Sequence, residues 1–171
     1  TPGEAGSRDE PLAARMRPRS LDEFLGQQAL VGPGAPLRRM IETDRVPSLI
    51  LYGPPGSGKT TLATIIARKT RRFFTHLNAV TAGVADVREV LAMARERRKM
   101  SDQGTILFLD EIAHFNRSQQ DALMRDVEEG TVVLIGATTH NPSFFINGPL
   151  LSRARLLVLE PLSHADIEEA L

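Results

Sequence analysis

GPPGSGKT, residues Gly53 to Thr60, is the stretch that decides the fold of this 171-residue chain. It matches the pattern G-x-x-x-x-G-K-[ST], and its flanks are what that pattern requires. The short apolar run Ser48 to Tyr52 precedes it and reads as a strand. Lys59 to Thr70 follows with the composition of a helix. Glycines at Gly53, Gly56 and Gly58 let the backbone turn its amides inward, where the positive end of the following helix also favours phosphate oxygens. The expected cofactors are ATP or ADP with Mg2+. Lys59 is expected to reach the β- and γ-phosphates and the Thr60 hydroxyl to meet the metal. The nucleotide-binding set is Gly53, Pro54, Pro55, Gly56, Ser57, Gly58, Lys59, Thr60 and Thr61.

Outward from the loop, strands and helices alternate. Strands are expected at Phe73 to Leu77, Thr105 to Leu109, Thr131 to Ala137 and Arg155 to Leu159. Helices are expected at Ala35 to Thr43, Val84 to Met100 and Ser118 to Glu128, the last ended by Gly130. Val87, Val90, Leu91 and Ala94 share one helical face. Uniformly apolar strands need cover on both sides, so the class is α/β, a parallel sheet sandwiched between helices. Residues 1–20 carry no sustained apolar period and read as an irregular arm. Ser163 and Asp166 stand in capping-box spacing, so Ser163 to Leu171 reads as the start of a further helix.

Asp110 and Glu111 stand where the strand Thr105 to Leu109 emerges. In an open parallel sheet ligands bind at the carboxyl ends of the strands, so this pair and the loop are expected to face one crevice. Asp110 is the candidate to orient the metal and Glu111 the candidate general base for water attacking the γ-phosphate. At the tip of the next long strand, Thr138 is the first choice to contact the γ-phosphate or the water, with Thr139 and Asn141 behind it. The same residues also suit a turn or a helix cap. Arg153 and Arg155 precede the last strand. Either could serve as an electropositive finger, within the chain or across a subunit boundary, although a surface salt bridge is the simpler use of such residues.

Composition narrows the rest. Lysine plus arginine number 21 and aspartate plus glutamate 21, so any basic site must be local. The clustered Arg95, Arg97, Arg98 and Lys99 read as a solvated helix face. No cysteine is present, which excludes disulfides and thiolate metal sites. No stretch approaches the ~20 apolar residues that a membrane helix needs. A soluble, intracellular domain is the expectation.

Taken together, GPPGSGKT, FLDE (Phe108 to Glu111), GATTHNPSF (Gly136 to Phe144) and LLSRAR (Leu150 to Arg155) resemble the AAA+ ATPases of the clamp-loader branch. RMRPRSLDEFLGQ (Arg15 to Gln27), PSLILYGPPGSGKTTLA (Pro47 to Ala63), FNRSQQDAL (Phe115 to Leu123) and NPSFFINGPLLSRAR narrow this to the replication-associated recombination protein A family. The similarity runs from about Pro11 to Leu171.

The resemblance implies an AAA+ P-loop core at residues 21–161, an arm at 1–20 that contributes to the adenine site, and the start of a truncated helical lid at 162–171. It makes Lys59 and Thr60 the Walker A pair, Asp110 and Glu111 the Walker B acids, and Thr138 the sensor-1 residue. Arg153 becomes an arginine finger working on a neighbouring subunit, and Arg17, Pro18, Gly26 and Gln27, with Phe24 and Leu25, wrap the adenine. The implied partners are DNA at stalled forks, ends or gaps, a single-stranded-DNA-binding protein, and copies of the same chain, a tetramer in full-length members. The implied location is the bacterial cytoplasm, with the nucleoid.

Ala113 and His114 depart from the family, which has histidine and arginine there. The lid's second sensor arginine and the oligomerisation domain are also expected to be missing, so this chain is expected to bind nucleotide weakly, stay largely monomeric and hydrolyse ATP poorly. A clamp-loader subunit or a Holliday-junction branch-migration motor shares the core motifs, but the FNRSQQDAL and NPSFFINGPLLSRAR stretches argue against it. An ATP-gated recruitment scaffold without turnover is the alternative from another class, and the intact Glu111 weighs against it.

Overall fold

The computed structural model describes residues 36–43 and 45–160. The adenine-site residues Arg17, Pro18, Phe24, Leu25, Gly26 and Gln27, the arm at 1–20 and the lid start at 162–171 lie outside the described residues. Five strands form one parallel sheet: β1 Leu49–Tyr52, β2 Phe73–Asn78, β3 Thr105–Asp110, β4 Val132–Thr138 and β5 Arg155–Val158, in the order β2-β3-β4-β1-β5. The helices are α1 Pro36–Glu42, α2 Lys59–Lys69, α3 Val84–Ser101, α4 Arg117–Glu128, and the short α5 Pro142–Phe145 and α6 Gly148–Ser152. The expected α/β class, with a parallel sheet between helices, is what the chain adopts.

The strands explain the sandwich. Side chains alternate across a pleated strand, so Leu49, Leu51, Ile106 and Phe108 pack with Leu37 and Ile41 of α1 and Leu62, Ile65 and Ile66 of α2. Ile50, Leu107, Leu109 and Leu134 point the other way, onto Val87 and Leu91 of α3, Leu123 of α4 and Leu150 of α6. All of these side chains are buried. Such burial stabilises by about 1.5–3 kcal/mol per large aliphatic side chain, which is why a continuous apolar run is kept in the middle strands.

Helix starts follow local chemistry. Asn116 caps α4: its Oδ1 accepts from the Gln119 amide at 2.9 Å, and Gln119 Oε1 accepts from the Asn116 amide at 2.8 Å. This box fixes the first helical residue at Arg117, one earlier than periodicity indicates. Helix α3 begins with the Asp86 carboxylate accepting from the Gly83 amide at 2.8 Å.

The basic run on α3 is largely exposed, as expected, but its three arginines are also tied to the fold. Arg95 holds Asp126 of α4 with a fork, Nε to Oδ1 at 2.9 Å and Nη2 to Oδ2 at 2.6 Å. Arg97 donates to the Thr105 hydroxyl at 2.7 Å and lies 3.6 Å from the Phe73 ring centroid. Arg98 donates to the Glu129 carbonyl at 3.2 Å. Asp126 is fully buried, so its carboxylate needs this partner. The hydrogen bonds to Asp126 hold the Arg95 guanidinium even more firmly protonated than usual. Arg95→Ala is therefore expected to destabilise the fold by about 1–3 kcal/mol, the cost of stranding a buried acceptor, read as a shift of the urea midpoint at constant slope.

Candidate active site

The carboxyl edge of the sheet gathers the candidate residues. β1 ends at Tyr52 and hands over to the phosphate loop, anchored where the Gly53 amide donates to the Thr138 carbonyl of β4 at 3.1 Å. A side chain at Gly53 has no room: a Cβ would stand 2.7 Å from the Leu159 carbonyl oxygen and 2.9 Å from Ser57 Oγ. Gly56 and Gly58 adopt φ of 79° and 90°, the left-handed region that glycine enters without strain, and Gly58 is the residue from which α2 starts.

A cleft of about 330 Å3 is lined by Pro55, Gly56, Ser57, Gly58, Lys59, Thr60 and Thr61, together with Asp110, Glu111 and Thr139. The sheet thus brings the phosphate loop and the acid pair to one wall, as the strand-end reasoning expects. Lys59 Nζ donates to the carbonyls of Gly53 at 2.6 Å and Pro54 at 3.0 Å, which keeps its charge over the loop. Burial lowers its pKa from the ordinary lysine value, and the nearby charges of Asp110 and Glu111 oppose that shift.

Asp110 is the last residue of β3, and its Oδ1 accepts from the Glu111 amide at 3.0 Å. Glu111 has φ 55°, a left-handed conformation that costs a non-glycine residue about 1–3 kcal/mol. It opens a 3-10 turn, Ile112–His114, and the His114 amide returns to the Glu111 carbonyl at 2.9 Å. Ile112 packs against Gly136 of β4, where a Cβ would lie 2.8 Å from Ile112 Cδ1. A glycine in the strand thus seats the turn that aims Glu111.

The polar residues after β4 divide. Thr138 is fully buried, and its hydroxyl accepts from the His140 amide at 3.0 Å and donates to the His140 carbonyl at 3.2 Å. Thr139, not Thr138, lines the cleft. Asn141 caps α5, with Oδ1 accepting from the Ser143 amide at 3.0 Å. Arg153 does not line the cleft; it closes α6 and pairs with Glu128 at 3.3 Å, both partners about half exposed.

One buried residue inside the FNRSQQDAL stretch escaped the sequence reading. Gln120 donates from Nε2 to the carbonyls of Phe115 at 3.0 Å and Phe145 at 2.8 Å, and accepts from the Asn147 amide at 2.7 Å. It ties the segment after the acid pair to the one leading to Arg153. Two of its three partners, Phe145 and Asn147, are remote in sequence, so no local signal points to its role.

A phosphate loop and an acid pair meeting at the carboxyl edge of a parallel sheet define a nucleotide-binding P-loop domain. The chain belongs to the AAA family of ATPases: the profile of the ATPase family associated with various cellular activities matches residues 49–161. It is 52% identical over 162 residues to the replication-associated recombination protein A of Escherichia coli, covering 95% of this chain and 36% of that one. It is 51% identical to the protein of the same name from Haemophilus influenzae and 45% identical to the ATPase WRNIP1 of Dictyostelium discoideum, covering 94% and 92% of this chain and 36% and 18% of those proteins. Among solved structures it is similar to the RuvB Holliday junction branch migration motor of Thermotoga maritima, at TM-score 0.72 and 30% identity over 91% of this chain and 52% of that one. The resemblance to the replication-associated recombination protein A family is borne out. The chain spans little more than a third of the length of those bacterial relatives.

Proposed function

We propose that this chain is the ATPase domain of a replication- or recombination-associated machine, hydrolysing ATP to ADP and phosphate and coupling that cycle to DNA at stalled forks, ends or gaps. The observation that carries the reading is the shared cleft of Lys59, Thr60, Asp110, Glu111 and Thr139. The relatives' names supply the DNA context. Of the proposed domains, residues 21–161 form the ATPase core, 1–20 an arm reaching the adenine with Arg17, Pro18, Gly26 and Gln27, and 162–171 the start of a lid.

In this proposal Gly53, Pro54, Pro55, Gly56, Ser57, Gly58 and Thr61 cradle the phosphates through their backbone, and Lys59 neutralises the charge that grows on the β–γ bridge. The Thr60 hydroxyl and the Asp110 carboxylate, both on the cleft wall, suit a hard cation that takes oxygen ligands and keeps most of its waters. Magnesium bound with the nucleotide supplies charge neutralisation at the phosphates. Glu111 takes the proton of the attacking water. For hydrogen-bonding that water or the γ-phosphate the reading takes Thr139, the second choice from the sequence, over Thr138: Thr139 lines the cleft, and the Thr138 hydroxyl is engaged with the His140 backbone. Arg153 acts on the cleft of a neighbouring copy, which makes the working unit a homo-oligomer, a tetramer in the whole protein. A bacterial cytoplasmic location and a single-stranded-DNA-binding protein as partner belong to the same reading.

The test is ATP turnover with and without forked, gapped and blunt DNA, beside Lys59→Ala. DNA is expected to stimulate wild type several-fold, and the variant is expected to lose nucleotide affinity by about 10-fold or more, the scale of one lost charge-assisted contact. A rate that no DNA alters would remove the DNA-coupled reading, and Glu111→Gln turning over like wild type would leave a scaffold.

A further inference from the structure

At the opposite end of the sheet from the nucleotide cleft lies a second depression of about 410 Å3, lined by Thr70, Arg71, Arg72, Arg98, Asp102, Gln103, Gly104, Thr105, Gly130 and Val133. Its neighbourhood concentrates positive charge in a chain that is neutral overall. Arg68 to Arg72 reads RKTRR, without an acid, where α2 ends and β2 begins. Helix α3 delivers Arg98 to the same rim. Basic residues in a helix's last turn complement its dipole, and that accounts for Arg68 and Lys69. It does not account for Arg71 and Arg72, which lie beyond the helix.

Arg71 stands at φ 54°, and so does Asp102, where α3 ends. The position after a helix is where glycine is favoured because it enters the left-handed region without strain. The remaining non-glycine residue with positive φ among those described is Glu111, in the nucleotide cleft. Arg72 is laid across Gly104, where a Cβ would meet its Nε at 3.2 Å. An arginine is thus kept in a strained backbone position with its side chain exposed, beside another packed over a glycine.

Next to this basic rim stands an aromatic platform. Phe73 is 43% exposed, and the Arg97 guanidinium lies 3.6 Å from its ring centroid, fixed by its bond to the Thr105 hydroxyl at 2.7 Å. Exposed aromatic rings and immobilised guanidinium planes are surfaces on which unpaired bases stack, whereas a carboxylate pairs with the guanidinium but gains nothing from the ring face.

We propose that this amino-edge surface, Arg68 to Phe73 with Arg97 and Arg98, binds a single-stranded nucleic acid, the arginines and Lys69 taking phosphates and the Phe73–Arg97 pair a base. The choice of DNA as the strand rests on the function proposed above; the phosphate-and-stacking chemistry rests on these residues alone. The surface faces away from the ATP cleft, so a strand held there leaves the cleft open.

The test is fluorescence anisotropy of a labelled thymidine oligonucleotide of about 20 nucleotides, titrated with the 171-residue chain at several salt concentrations, with a thermal melt of every variant. Arg71→Gly is expected to weaken binding by about 3- to 10-fold and to lower the salt slope by about 0.7 for the contact removed, while the melting temperature holds or rises because glycine relaxes the backbone. The double variant Arg68→Glu with Lys69→Glu should abolish binding. Arg97→Lys keeps the charge but not the plane, and should weaken binding several-fold at an unchanged salt slope. Equal affinity and slope in wild type, Arg71→Gly and the double variant would overturn the proposal while leaving DNA coupling intact through another surface. Polyglutamate competing as well as the oligonucleotide would overturn it in favour of a general acidic partner. Wild type that binds no strand would overturn it too, and the DNA-dependence of turnover then reports separately on the wider function.

Discussion

Glu111→Gln is expected to cut ATP turnover by about 100- to 10,000-fold while leaving nucleotide binding close to wild type. The amide keeps the size and the hydrogen-bonding reach of the carboxylate but cannot accept the proton of the attacking water, the contribution that a positioned general base makes. Asp110 stays in place, since its Oδ1 bonds the backbone amide of residue 111, which the substitution preserves. Single-turnover measurements separate the two roles: chemistry slows and binding does not. A second substitution at the same position distinguishes chemistry from architecture. With φ at 55°, Glu111→Gly should gain about 1 kcal/mol of stability and still be inactive. A variant that is both more stable and inactive shows that Glu111 is kept at this strained position for its carboxylate and not for the fold. Loss of stability together with activity would mean that Glu111 serves the fold.

Arg153→Ala carries the other large expectation, a fall of about 1,000- to 100,000-fold in the assembled enzyme, the range that an arginine finger contributes. The side chain is poised for such a role at low cost. Its present partner, Glu128, is about half exposed at 3.3 Å, and an exposed ion pair of this kind is worth about 0–1 kcal/mol. A neighbour's γ-phosphate offers far more to a guanidinium than this carboxylate does. Glu128→Ala should therefore leave turnover unchanged, and Arg153→Lys should rescue poorly, because an ammonium lacks the planar fork. Since Arg153 does not line the cleft of its own chain, turnover should rise more steeply than linearly with protein concentration.

The inner strands β1, β3 and β4 were legible as largely apolar runs that the structure buries, and the outer β2 and β5 as shorter apolar stretches placed in the strand–helix alternation. Helices α2, α3 and α4 were legible from the phosphate motif, an apolar stripe and a cap. Helices α5 and α6, of four and five residues, are too short for any periodicity to register. The division between Thr138 and Thr139 depended on where β4 stops: Thr138 pairs with Tyr52 and remains inside the sheet, and one residue further the chain turns to the cleft. Two adjacent threonines give no sign of that boundary. Arg95 with Asp126 and Gln120 with its backbone partners were out of reach for another reason. Apart from the bond of Gln120 to the nearby Phe115 carbonyl, they join positions roughly 25–31 apart whose meeting depends on how α3, α4 and the short helices pack. Their residue types suggest surface side chains; burial makes them structural ties.

In the proposed function, ATP bound in the cleft of one chain is hydrolysed with Glu111 of that chain and Arg153 of another. The direct measurement is ATP turnover in a mixture of two separately inactive proteins, Glu111→Gln and Arg153→Ala, at concentrations where wild type assembles. A mixed assembly joins the intact cleft of one variant to the intact arginine of the other, so turnover should reappear at a substantial fraction of the wild-type rate. If each arginine serves its own cleft, every cleft in the mixture lacks one of the two groups. A mixture as inactive as its components would contradict the account.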